Sequence, residues 1–227
     1  MSIQLEVCID NIESLHYAQQ GGATRIELCS SLTLGGLTPS SGFMALAAKH
    51  AKVPVYAMIR PRQRGLQGIV IGALTKYGHI DKDIVASLVK EANGLGVTFH
   101  RAIDQCIEPF AALDTVMHYD CERVLTSGLA SNAPAGSQMI KEMVNYCGNK
   151  LSIMAGAGVN PDNVRELITT TGIHEVHLSG KTTRPSAMTN ISASAHMGNA
   201  AIDDFQIPVT SAETIKTVAQ QLNQLSQ

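Results

Sequence analysis

Gln4-Leu5-Glu6-Val7-Cys8, followed by Ile9-Asp10-Asn11 and then the helix-period stretch 12–20, decides between two folds. The first five residues read as a short strand, and the segment after Asn11 carries apolar positions at helical spacing. A doubly wound dinucleotide-binding sheet would most often place G-x-G-x-x-G at this first turn, and Ile9-Asp10-Asn11 has no glycine. The same strand-then-helix unit recurs to the end of the chain. Strands are predicted over 4–8, 24–28, 54–60, 68–73, 96–100, 123–126, 151–155 and 175–178, each bounded by Gly, Asn, Asp or Pro. Helices are predicted over 12–20, 42–50, 84–91, 109–118, 138–146, 164–170 and 212–225. Eight such repeats in 227 residues fit one α/β domain, a (β/α)8 TIM-type barrel over 1–227, with the open doubly wound sheet as the runner-up.

One connection breaks the pattern. Strand three ends near Arg60 and strand four begins near Gly68, where a parallel crossover needs about a dozen residues, usually a helix. Either the two strands are not parallel neighbours, or a segment is deleted, or the sequence omits residues near Gln63; the last is preferred. The third crossover helix is then missing, and a true deletion would leave the apolar backs of the adjacent strands facing water. A second irregular segment, rich in Ser, Thr, Ala and Asn, makes 181–207 a candidate lid or mobile arm.

Composition narrows the function classes. The hydrophobic fraction of 44% is enough to close a core. With 17 basic against 19 acidic residues the net charge is -2, without a basic block, so no nucleic-acid partner is expected. No apolar run reaches the ~18 residues of a membrane span and no leader pattern opens the chain, so the expectation is a cytoplasmic protein without a membrane partner. The five cysteines, Cys8, Cys29, Cys106, Cys121 and Cys147, are widely spaced and read as reduced thiols. A homodimer is expected from the frequency of such assemblies.

In this barrel, chemistry belongs to the residues at the C-terminal ends of the strands. Alternation puts Glu6 with Cys8, and Glu27 with Cys29, on the face toward the barrel axis, while Ile26 and Leu28 point to the helices. An inward carboxylate needs a partner, and Arg60 or His100 is expected to supply it. Such carboxylates fill the barrel as a buried ion-pair layer or act on a ligand. His100 reads as a general acid or base oriented by Asp104, and His177 ends strand eight where it can converge on the same mouth. Arg60 and Arg62, in Met58-Ile59-Arg60-Pro61-Arg62, offer guanidiniums to a carboxylate or phosphate. The run Ala155-Gly156-Ala157-Gly158-Val159-Asn160-Pro161 reads as a turn into a helix capped by Asn160. Gly156 and Gly158, with Ser179 beyond strand eight, read as an anion cradle or as a tight turn without a ligand. Cys8 and Cys29 lie on neighbouring strands; they are packed as small hydrophobes or form a soft thiolate pair suited to Cu(I).

Leu5-Glu6-Val7-Cys8, Gly22-Ala23-Thr24-Arg25-Ile26-Glu27-Leu28-Cys29, Gly35-Gly36-Leu37-Thr38-Pro39-Ser40 and Met58-Ile59-Arg60-Pro61-Arg62 resemble the CutC family. So do Val97-Thr98-Phe99-His100-Arg101-Ala102-Ile103-Asp104, Arg123-Val124-Leu125-Thr126-Ser127-Gly128, Ile153-Met154-Ala155-Gly156-Ala157-Gly158-Val159 and Glu175-Val176-His177. The resemblance spans about 3–180 and implies a TIM-type barrel and cytoplasmic copper homeostasis. It implies that the family's cysteine pair corresponds to Cys8 and Cys29, and its polar mouth to Glu6, Glu27, Arg60, His100, Asp104 and His177. In the family the Arg60-Pro61-Arg62 motif is followed by a loop and a third helix; here Gln63-Arg64-Gly65 follows directly. The alternative is an enzyme, of no assigned reaction, that acts on a small anionic or phosphorylated ligand.

Overall fold

The computed structural model describes residues 2–32, 36–58, 66–189, 203 and 205–226. Eight parallel strands close on themselves in chain order, with β8 pairing back onto β1. They are β1 (Gln4–Ile9), β2 (Arg25–Leu28), β3 (Val55–Met58), β4 (Gly68–Ile71), β5 (Gly96–Phe99), β6 (Arg123–Thr126), β7 (Ser152–Ala155) and β8 (Glu175–Leu178). The helices between and after them are α1 (Ile12–Gly21), α2 (Ser41–His50), α3 (Lys82–Ala92), α4 (Pro109–His118), α5 (Ser137–Cys147), α6 (Val164–Thr171) and α7 (Ala212–Leu225). A 3-10 helix, Arg101–Gln105, follows β5. The barrel expectation holds, and strands and helices fall close to their predicted places.

Local chemistry explains the boundaries. Asn11, Ser40, Asp81 and Ser211 each precede a helix and accept a backbone N–H of its first turn with the side chain. Gly22 closes α1 at φ 96°, where an L side chain would be strained. Outward strand residues such as Val7, Ile26, Phe99, Val124 and Val176 are fully buried against the helices, so the main core is the layer between sheet and helix ring.

β3 and β4 are parallel neighbours, with Tyr56 opposite Gly68 and Met58 opposite Val70, which overturns the suggestion that they are not. Residues 59–65, including Arg60 and Arg62, lie outside the described residues. The apolar backs of these strands do not face water. Val55, Ala57, Ile69 and Ile71 are all buried, with α2 against β3 and α3 spanning β4 and β5. The exposure that a true deletion was expected to cause is therefore not seen at these four residues.

Past β8, β9 (Lys181–Pro185) and β10 (Gln206–Thr210) form an antiparallel ribbon. Arg184 binds both carboxylate oxygens of Glu13 on α1, at 2.7 and 2.8 Å, and the Asn11 amide donates to the Pro208 carbonyl. The base of the expected arm is thus a ribbon tied to the barrel; residues 190–202 and 204 lie outside the described residues. No helix among the described residues is long and apolar enough to cross a membrane.

Candidate functional site

The barrel interior is built from inward side chains in tiers. In the lower tier Tyr56 lies across the axis, in space that side chains at Gly68 and Gly96 would occupy: a Cβ on Gly68 would sit 2.0 Å from the tyrosine ring. The Arg25 and Arg123 guanidiniums stack on that ring, 5.3 and 4.9 Å from its centroid. Both donate to the buried Glu175 carboxylate, Arg123 at 3.1 Å, and Ser152 donates to it at 2.6 Å. Burial would raise the Glu175 pKa, but the charges of Arg25 and Arg123 outweigh it and hold the carboxyl below its ordinary value. Arg123 also donates to Thr98, and the Tyr56 hydroxyl to Glu122.

Glu6 links the tiers. It accepts from Arg25 Nε at 2.5 Å below and meets His177 Nδ1 at 2.9 Å above. Of its expected partners, Arg60 lies outside the described residues and His100 is not bonded to it; the partners found among the described residues are Arg25 and His177. The register explains this, because Arg25 and His177 are the residues directly opposite Glu6 on the two flanking strands. Burial pushes the Glu6 carboxyl up, yet the His177 hydrogen bond and the Arg25 charge prevail and hold it at about 2.

Above Glu6 the interior opens. Cys8 stands opposite Glu27 in the β1–β2 register, and His177 Nε2 lies 3.6 Å from Glu27 Oε2. Cys8, Glu27 and His177 bring one ligand atom each within 4.8 Å of one another. Burial pushes the Glu27 pKa up to about 7, despite the opposing charge of His177. Burial works against a charged His177, but Cys8, Glu6 and Glu27 facing the ring raise its pKa well above the ordinary imidazole value. Cys29 is buried one pleat higher than Glu27, and burial together with the Glu27 charge pushes its thiol pKa up. Cys106, Cys121 and Cys147 are also buried.

A cavity of about 750 Å³ rises from this cluster to the barrel mouth. Cys8, Glu27, Cys29 and His177 form its floor; His100, Gly158, Ser179 and Lys181 are among the residues on its walls. Gly156 makes room for its neighbours, since a Cβ there would come within 2.6 Å of Leu125 and 3.3 Å of His177.

Two expectations at the mouth change. Asp104 is not the residue that orients His100. It accepts from Thr126 Oγ1 at 2.5 Å, from the backbone N–H groups of Ser127 and Leu129, and from Arg101 Nε. It therefore ties the turn after β5 to the turn after β6. His100 Nδ1 instead accepts the Ala102 N–H at 3.0 Å, which caps the 3-10 helix. Asn160 does not cap α6 either. Residues 161–163 form a turn in which Asn160 Oδ1 accepts from Asp162, and the helix begins at Val164 after Asn163.

Of the residues that sequence reasoning placed at the mouth, Cys8, Glu27, Cys29, His100 and His177 line the cavity, whereas Glu6 lies beneath it against His177; Arg25, Tyr56, Arg123 and Glu175 were missed. Arg25 shares the alternation parity of Glu27, and Arg123 and Glu175 open their strands at positions of inward parity. That parity is the signal that could have found them.

The sequence profile of the CutC family matches residues 3–65 and 62–182. A CutC family protein of Photobacterium profundum is 65% identical, the match covering 96% of this chain and 98% of that one. A second, from Vibrio vulnificus, is 55% identical over the full length of both chains. That alignment runs over 250 positions against the 227 residues here, a surplus of 23 without counterpart in this chain. The break between the two profile matches falls at the short β3–β4 connection. Among solved structures, a CutC from Streptococcus agalactiae described as a candidate copper homeostasis protein superposes with a TM-score of 0.72 at 27% identity. It covers 77% of this chain and 97% of its own.

Proposed function

This chain belongs to the CutC family, and on that premise we propose that it handles copper in the cytoplasm, binding Cu(I) at the floor of the barrel mouth. Cys8 and His177 are the ligands, with Cys29 and Glu27 beside them. The observation that carries the reading is the convergence of a thiol, an imidazole and a carboxylate within 4.8 Å at the bottom of an open cavity. The donor set suits the ion: thiolate and imidazole bind Cu(I), a soft cation that accepts low coordination numbers. Carboxylate is the poorer ligand, and Glu27 serves better as the group that takes the proton a thiol gives up when metal binds. Glu6 holds His177 from the far side through Nδ1, which leaves Nε2 facing the cluster.

The test is an anaerobic Cu(I) titration in competition with a chromophoric chelator, on the wild type and on the Cys8→Ser/Cys29→Ser double variant. One equivalent bound tightly by the wild type, with affinity at least ~100-fold weaker in the double variant, is the expected outcome. Equal affinity of the two proteins, with thermal unfolding confirming that both are folded, overturns the copper site.

A further inference from the structure

A single ion held by the floor cluster needs almost none of the 750 Å³ above it, whereas pockets for small molecules run from about 300 to 1,000 Å³. The upper walls also differ from the floor in the bonds they leave unmade. The N–H groups of Ala157, Gly158 and Val159, in the turn after β7, have no acceptor among the described residues. Ala157 and Gly158 are both left-handed, at φ 71° and 76°. After β8, the neighbour of β7, Lys181 is exposed at the cavity rim and has no carboxylate partner among the described residues. Across the cavity, His100 Nδ1 is occupied as an acceptor, which puts the ring proton of the neutral imidazole on Nε2. That Nε2 has no acceptor among the described residues.

Donors from the segments that follow β5, β7 and β8 therefore line a space whose one carboxylate among the described lining residues, Glu27, lies on the floor against His177. Among the described residues such a wall carries no carboxylate above the floor and leaves these donors free, which matches an anionic ligand rich in acceptors. We propose that the upper cavity binds a small phosphorylated metabolite. Its phosphoryl group lies between the β7 turn and Lys181, and His100 Nε2–H donates across the cavity to an oxygen of the remainder. The turns after strands seven and eight are where barrels of this class frequently take phosphate, for the same reason: unpaired backbone N–H groups converge there. The site is separate from the copper reading, because neither Lys181 nor the β7 turn belongs to the floor cluster.

The probe is inorganic phosphate, added to the full chain at ionic strength matched with sodium chloride, and read by thermal unfolding and titration calorimetry. Phosphate is expected to raise Tm above the chloride control. Lys181→Ala is expected to weaken the phosphate Kd about tenfold, the loss of one charge-assisted hydrogen bond. Lys150→Ala, an exposed lysine before β7 at the opposite end of the barrel, is the control and leaves Kd unchanged. The proposal is overturned if phosphate stabilises no more than chloride, or if the Lys181→Ala and Lys150→Ala proteins respond alike. Cys8→Ser/Cys29→Ser is expected to keep the phosphate response, so failure of the copper site and failure of the phosphate site are distinguishable.

Discussion

Below Glu6 the charged side chains inside the barrel are answered by fixed partners; above it the polar groups are left with capacity to spare. Arg25 and Arg123 share Glu175, stack on Tyr56 and donate further to Glu6 and Thr98. At the mouth, His177 stands between two carboxylates, Glu27 keeps its proton to about pH 7, and the β7 turn leaves N–H groups without acceptors among the described residues. Both regions spend polar residues where apolar ones would pack more simply. The difference teaches where to look for function: a saturated network specifies structure, and an unsaturated one at a cavity is available to a ligand.

Removing one member of the lower network should produce the largest effect. Glu175→Leu leaves two guanidiniums, both nearly inaccessible to solvent, without their shared carboxylate. A loss of about 3–5 kcal/mol in denaturant unfolding is expected, because Glu6 beside Arg25 and the half-exposed Glu122 beside Arg123 answer the two buried guanidiniums only in part. The carboxyl is held below its ordinary pKa, so its contribution is present above about pH 4.5 and is lost as pH falls through the depressed value. The wild type should lose stability on acidification in that window and Glu175→Leu should lose less. A variant within 1 kcal/mol of wild type, at the scale of a surface substitution, would break the contrast between the two regions.

How much of this was legible in the sequence depended on the range of the interaction. Strand and helix positions follow from periodicity, and the inward placement of Glu6, Cys8, Glu27 and Cys29 follows from alternation within one strand. Partner identity is another matter. The Glu6–His177 contact joins residues 171 positions apart and exists only because β8 closes onto β1. Asp104 lies close to His100 in sequence, but the 3-10 helix turns it toward Thr126, Ser127 and Leu129. Lys181-Thr182-Thr183-Arg184-Pro185 carries no apolar alternation, so the first strand of the ribbon had no periodic signal. The outward residues of β3 and β4 stay covered without a crossover helix of their own, because α2 and α3 flank them. No local pattern encodes that accommodation.

The mouth should reveal itself through pH before it does so through stability. The folded-state pKa of Glu27 is raised from an ordinary 4.5 to about 7, so the native protein holds a proton there that the unfolded chain releases. The stability this confers is complete below pH 4.5 and is lost as pH rises through 7. Glu27→Gln removes the titration. Metal-free wild type should therefore lose, relative to Glu27→Gln, on the order of 1–3 kcal/mol between those two pH values. Denaturant unfolding of both proteins across that range checks it. Parallel curves would place Glu27 with the saturated groups below and move the boundary between the regions upward.

The smallest expected effect sharpens the contrast most. Cys8→Ser exchanges one small buried side chain for another of nearly the same shape, beside Glu27 and His177, either of which can bond a hydroxyl. Unfolding free energy should change by less than about 1 kcal/mol, since no cavity opens and no charge is stranded. A cysteine that served mainly to pack the barrel would resist this exchange, because a thiol is more apolar than a hydroxyl and its loss from an apolar site is felt. Near-neutral stability together with lost Cu(I) binding would mean that the thiol is kept for its chemistry. A cost comparable to that of Glu175→Leu would instead join Cys8 to the structural network and leave His177 as the lowest group open to a ligand.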